Sequence, residues 1–192
     1  KPIDLDFHSK YIIPWFDTLA SVVRVTDHSE MDIFYKLIQA PIIEERIPVL
    51  IDSYTRQNRP TINYGKSSTL ITGKSLDGEY ITYINFDLMK IAEQIDKEMS
   101  VRDIDLMMYL GQQATGSIRV YECLSNWYET SITWNTSVSV GNKICDVNIT
   151  SDIVTVPLRE YIESLIARGM IRLNIVIKSD NFFLIRSRES DS

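Results

Sequence analysis

Ile104-Asp105-Leu106-Met107-Met108-Tyr109-Leu110 alternates: Ile104, Leu106, Met108 and Leu110 fall on one side, Asp105, Met107 and Tyr109 on the other. Successive side chains of a strand point to opposite faces, so this period of two turns one row toward a core and the other outward. The rhythm returns at 117–123, with Ile118 and Val120 inward and Arg119 outward, and at 170–178 through Ile171, Leu173, Ile175 and Ile177. Further short strands are expected at 49–54, 69–72, 80–86 and 182–188. Asp77-Gly78 supplies the hairpin turn between 69–72 and 80–86. Two segments keep helical spacing instead. Leu88, Ile91, Ile95 and Met99 predict a short helix over 88–98, packed against a sheet edge. A second is expected over 157–168: Pro157 suits a first turn, Leu158, Ile162, Leu165 and Ile166 line one face, and Gly169 is the stop. About eight short strands with turns between them predict a mostly β fold, an antiparallel, jelly-roll-like β-sandwich with two short peripheral helices.

The chain of 192 residues is long enough for one domain and an appendage. Residues 1–47 read as that appendage: a lead-in hairpin, a linker or the tail of a preceding domain. Pro2, Pro14, Pro41 and Pro48 interrupt any long helix there, and strands are expected at 21–25 and 32–39 around a turn at Asp27-His28-Ser29. Residues 48–192 then hold the sandwich. The first residue is Lys1 and no signal-peptide pattern precedes the fold, so a removed leader or a fragment is expected. The net charge of −6, without any basic block, points away from nucleic acid and from anionic membranes. No apolar run approaches bilayer length, so membrane insertion is not expected. Cys123 and Cys145 lie in different segments; spacing leaves their pairing open, and two unrelated buried thiols are the favoured reading.

Catalysis finds little support. His8 and His28 sit in the lead-in without a Cys or Asp partner at useful spacing, and no nucleophile elbow, zinc-binding His pair or phosphate loop is present. Asp103 and Asp105, on one strand face, read as solvated acids rather than a hydrolytic pair. The chain is therefore not expected to be an enzyme. The candidate ligand-binding group is Tyr54, Arg56, Tyr64 and Lys66, with Arg59 nearby: a basic and aromatic loop region suited to the carboxylates of an acidic polysaccharide. A solvated loop is its plainer reading. Trp127 joins this set because an aromatic face suits the apolar face of a pyranose. On a regular strand Trp127 and Trp134 would face opposite ways, and packing is placed ahead of stacking for both. No cofactor is expected beyond calcium, for which Asp52 and Asp87 offer hard oxygen ligands; hydrogen bonding in turns or caps is the plainer role for each. Asn135-Thr136-Ser137 and Asn148-Ile149-Thr150 match the glycosylation acceptor pattern.

Several pieces carry a family resemblance when taken in order. Asp52-Ser53-Tyr54 and then Asn63-Tyr64-Gly65-Lys66-Ser67-Ser68 resemble the opening strand and loop of DNRLRE-type domains. Tyr83-Ile84-Asn85-Phe86-Asp87-Leu88 is similar to that family's strand ending in Phe-Asp-Leu. Ile118-Arg119-Val120-Tyr121, followed by Trp127-Tyr128-Glu129-Thr130-Ser131-Ile132-Thr133-Trp134-Asn135, is similar to its Trp-x-Glu-x-x-Ile/Val-Thr-Trp-Asn signature. Ser187-Arg188-Glu189 resembles its closing Ser-Arg-Glu. The resemblance spans residues 48–189 and leaves 1–47 outside. The family continues past Ser-Arg-Glu into a final strand, so the sandwich would lack its last strand at Ser192.

The resemblance implies a β-sandwich related to carbohydrate-binding modules, found in secreted, surface and phage structural proteins. Two expectations follow. The first is a non-catalytic structural or assembly module of a larger extracellular, cell-surface or virion protein, such as a phage tail, with neighbouring subunits or domains as partners in an oligomeric assembly. The alternative is a dedicated carbohydrate-binding module for an acidic polysaccharide.

Overall fold

The computed structural model describes residues 6–12, 42–96 and 100–191. The strands expected at 21–25 and 32–39 lie outside them, as does Met99. The described residues form an antiparallel β-sandwich of eleven strands and two helices. In chain order the strands are β1 (Asp6–Ile12), β2 (Ile42–Pro48), β3 (Ile51–Arg56), β4 (Thr69–Ser75), β5 (Gly78–Asp87), β6 (Ser100–Tyr109), β7 (Gly116–Cys123), β8 (Val140–Ile149), β9 (Ile153–Pro157), β10 (Arg172–Lys178) and β11 (Phe183–Arg186). Helix α1 (Met89–Asp96) follows β5, and α2 (Arg159–Ala167) follows β9.

One layer pairs in the order β2-β1-β6-β9, and the other runs β11-β4-β5-β10-β7-β8 with β3 also on β5. Within the second layer β4 changes partner. Its first residues, Thr69–Thr72, pair with β11, whereas Gly73–Ser75 pair with β5 in the hairpin. A bridge between Leu110 and Ile185, with Gly111 N donating to Leu184 O at 2.9 Å, sets β11 beside the end of β6. Two buried threonines close the seam that opens where β4 changes partner: Thr72 Oγ1 donates to Ile177 O and Thr82 Oγ1 to Ile71 O, both at 2.9 Å.

The alternation read in the sequence sorts the core. Ile104, Leu106 and Met108 of β6 meet Ile84 and Phe86 of β5, Ile118 and Val120 of β7, and Leu173, Ile175 and Ile177 of β10. At roughly 1.5–3 kcal/mol for each large apolar side chain buried, this layer dominates stability. Helix α2 lays Ile162 and Leu165 on the same core. Pro157 does not enter that helix. It ends β9, paired with Asp105, and the helix begins two residues later, after Leu158 N has bonded Ile104 O. Leu88 and Ile91 anchor α1, whose first turn is capped by Asp87 accepting from Met89 N at 2.9 Å. No helix among the described residues is long and apolar enough to cross a membrane.

A second, smaller cluster covers the outer face of the β5–β10 sheet. Ile81, Tyr83 and Val176 point away from the main core and are buried by Trp127 and Ile132. The 124–139 connection that supplies this cover is built of turns rather than a strand. Ser131 N and Ile132 N both donate to Tyr128 O at 3.0 Å. Strand alternation therefore does not govern it, and Trp127 and Trp134 pack into the same cluster.

Candidate functional site

The sequence-nominated residues divide among three environments. Tyr54, Tyr64 and Arg56 are brought together at one end of the main core. Tyr64 stacks on Tyr54 with ring centroids 4.3 Å apart, Tyr80 lies 6.4 Å from Tyr54, and Phe182 meets Tyr80 edge-on at 5.5 Å. The Arg56 guanidinium lies 5.3 Å from the Tyr80 ring centre and bonds Asp77 at 3.1 Å. Tyr54 is 6 % exposed, and burial pushes its hydroxyl up to about 12. Its faces are used for packing, leaving Tyr64, half-buried, and Phe182 at the rim. Lys66 is exposed on the same loop. Trp127 is elsewhere, 7 % exposed on the outer sheet face, with its ring 5.9 Å from Tyr83.

The pieces that carry the family resemblance converge on one clasp. Asn63 Nδ2 donates to Glu129 O at 2.7 Å and to Ile132 O at 2.8 Å, tying the loop after β3 to the tryptophan-bearing turns. Gly65 completes that junction: a Cβ there would lie 2.1 Å from Glu129 O, so only glycine fits. Asp52 N donates to Glu129 Oε1 at 3.1 Å, and Arg188 N donates to Asp52 Oδ2 at 2.9 Å. The Arg188 side chain spans both Glu129 oxygens at 3.0 Å, reaches Glu189 at 2.7 Å and bonds Leu50 O. Ser187 Oγ donates to Ser67 O. Four segments far apart in sequence are thus closed by charge-assisted bonds.

Asp52, Glu129 and Glu189 bring ligand oxygens within 4.8 Å of one another, the one such grouping among the described residues. Hard cations accept that kind of donor. Here the Arg188 guanidinium already bonds Glu129 and Glu189. Asp87, the other calcium candidate, caps α1. Asp52 is 1 % exposed, and burial pushes its carboxyl up to about 7.

A concavity lies elsewhere. Where β7 and β8 separate from β6 and β9, a cleft of about 710 Å³ opens against the start of α2. Asp103, Glu122, Lys143, Arg159, Glu160 and Tyr161 line it with polar groups, and Ile144 and Leu158 supply apolar wall. Its volume lies in the range of small-ligand sites. Glu122 is held from two sides, by Asn142 N at 3.2 Å and by the Tyr161 hydroxyl. Burial, and then Glu122 itself, push the Tyr161 hydroxyl up to about 12. Lys143 is paired with Asp146 and Arg159 with Glu163. Cys145 faces this side and Cys123 belongs to the outer cluster, so the two thiols are free on opposite faces of the sheet.

Sequence reading missed the cleft because its residues come from four segments with no shared spacing. The one local signal was Pro157–Tyr161, read there as a helix start.

Residues 44–192 match carbohydrate-binding module family 96. No curated protein matches the chain. The family match supports glycan binding, given above as the alternative, better than the assembly module placed first.

Proposed function

The chain belongs to carbohydrate-binding module family 96, and from that membership we propose that it binds a polysaccharide in the cleft between β8 and α2. The family match is the observation that carries the reading. The cleft adds to it a concavity of about 710 Å³ and hydrogen-bonding groups fixed before a ligand arrives. Pre-fixed partners matter because sugars offer many hydroxyls and little apolar surface, so ordering side chains at the moment of binding would consume most of the gain. Tyr161, held by Glu122, brings an aromatic ring beside these polar groups.

The chain acts by adhesion rather than by chemistry, as carbohydrate-binding modules generally do. The ordered DNRLRE-type pieces from Asp52 to Glu189 support the same assignment. On this reading they form the clasp that holds the sandwich, and the ligand is bound away from them. An extracellular or surface setting fits a polysaccharide ligand.

The test is isothermal titration of the whole chain against a panel of soluble polysaccharides, with thermal melts confirming that each variant is folded. Saturable binding is expected, reduced about tenfold or more in Lys143→Ala and in Tyr161→Phe, each of which removes one polar partner. Loss of binding in Arg56→Ala or Lys66→Ala instead would move the ligand to the loop group named from sequence. No binding to any member of the panel would overturn the glycan reading.

A further inference from the structure

We propose that the outer face of the β7–β10 pair holds a tetrahedral oxyanion, the sulfate or phosphate group of a modified glycan, between Arg119 and Lys178. The two residues lie directly opposite each other in the register of these strands. Ile118, Val120 and Ile177 beside them turn into the main core, so both cations stand on the outer face, the side that Val176 and Tyr121 share. Like charges facing each other across two strands oppose their pairing. The acids nearby do not cancel that repulsion. Asp180 bonds Arg119 at 2.9 Å and Lys74 at 2.6 Å, so one carboxylate is divided between two cations. Lys74 holds that carboxyl below its usual range, which keeps it charged. Asp146, opposite Arg119 on β8, is bonded by Lys143, and Glu79 faces Lys74 across the β4–β5 hairpin. Lys178 is half-buried, and among the described residues it has no ion pair.

The two cations are set in place before any ligand arrives. Ser179 Oγ donates to Ser117 O at 2.6 Å and accepts from Asn181 N at 2.9 Å, bracing the end of β10 against the start of β7. An anion entering between Arg119 and Lys178 exchanges a repulsion for two charge-assisted bonds. Shape then selects among anions. A planar carboxylate is held best by two parallel bonds from an arginine fork, and one amino group of the Arg119 fork is committed to Asp180. Separate donors arriving from two strands suit an anion whose oxygens point in several directions. Neither Arg119 nor Lys178 lines the cleft beside α2, so the two sites stand or fall separately.

The experiment titrates the whole chain at constant ionic strength and reads affinity from the amide chemical shifts of Arg119 and Lys178. The probes are galactotetraose with a single 6-sulfate, with a single 6-phosphate, with a single 6-carboxylate, and unmodified. The sulfate or the phosphate form is expected to bind about tenfold or more tightly than the carboxylate form, and the unmodified sugar to leave these amides unmoved. The tighter of the two oxyanion forms identifies the source of the group. Lys178→Gln and Arg119→Gln should each weaken its binding about tenfold. Arg172→Gln, which removes an exposed cation from the other end of β10, should leave it unchanged. Equal weakening in all three variants would show diffuse charge attraction and overturn the site. A carboxylate form that binds as tightly as the oxyanions, or silence toward both oxyanion forms, would overturn it as well.

Discussion

Asp52 shows how a single buried side chain ties the fold to pH. Burial raises its carboxyl from 3.8 to about 7 even though Arg188 N donates to it. Between those values the unfolded chain has released this proton and the folded chain still holds it. Folding stability from this group is therefore greatest at low pH and is lost as pH rises through about 7. Glu189 beside it runs the other way: burial alone would raise its carboxyl, but bonds from Arg188 and Ser187 hold it below the usual range. Comparing wild type with Asp52→Asn isolates the first effect, because an asparagine oxygen still accepts from Arg188 N. In urea melts, the variant should gain roughly 2–3 kcal/mol relative to wild type between pH 5 and pH 8. Parallel pH profiles would show that Asp52 is ionised in the folded protein. The residues of this clasp were legible in sequence because each sits in a short motif of its own, as Asn63 and Gly65 do. Glu122, Lys143 and Tyr161 were not, since only the packing of β7, β8 and α2 makes them neighbours.

At the scale of elements, β4 changes partner within the larger sheet. It begins on β11 and ends on β5, and the exchange falls at Gly73, whose φ is +111°. A Cβ there would lie 1.7 Å from Asn181 O, a backbone atom that has no side-chain freedom to yield. Gly73→Ala should therefore combine a strained dihedral with a backbone clash and destabilise the chain by about 3 kcal/mol or more. Gly111→Ala is the control, because its Cβ would sit 3.6 Å from Leu184 Cβ in ordinary contact. Equal midpoints for the two variants in chemical denaturation would contradict this account of the crossing. Strands with clean alternation, such as β6 and β10, were readable from sequence. β8 was not: its register against β7 shifts twice, on either side of Tyr121. Ile144 and Cys145, adjacent in sequence, both pack against the main core, so no period of two survives there. The tryptophan-bearing segment misled in the opposite sense, since its spacing resembled a strand while Tyr128 O was gathering the bonds of a turn.

For the whole molecule, the net charge of −6 acts on any charged ligand. A protein of this sign repels polyanions at long range and slows their approach, and salt relieves that repulsion. A neutral glycan feels neither effect, because its bonds in the cleft form at contact distance, well inside the Debye length of about 8 Å at physiological ionic strength. The affinity for a neutral tetrasaccharide should therefore change by less than about twofold between 50 and 500 mM NaCl. Attraction of a uronate to the Arg56 and Lys66 loop would behave differently, since screening weakens a favourable charge contact and affinity would fall steadily with salt. Titrating the strongest ligand of the panel at several salt concentrations thus reads the sign of the field at the bound site. A flat response places a neutral sugar in the cleft beside α2, and a steep decline places an anion on the basic loop.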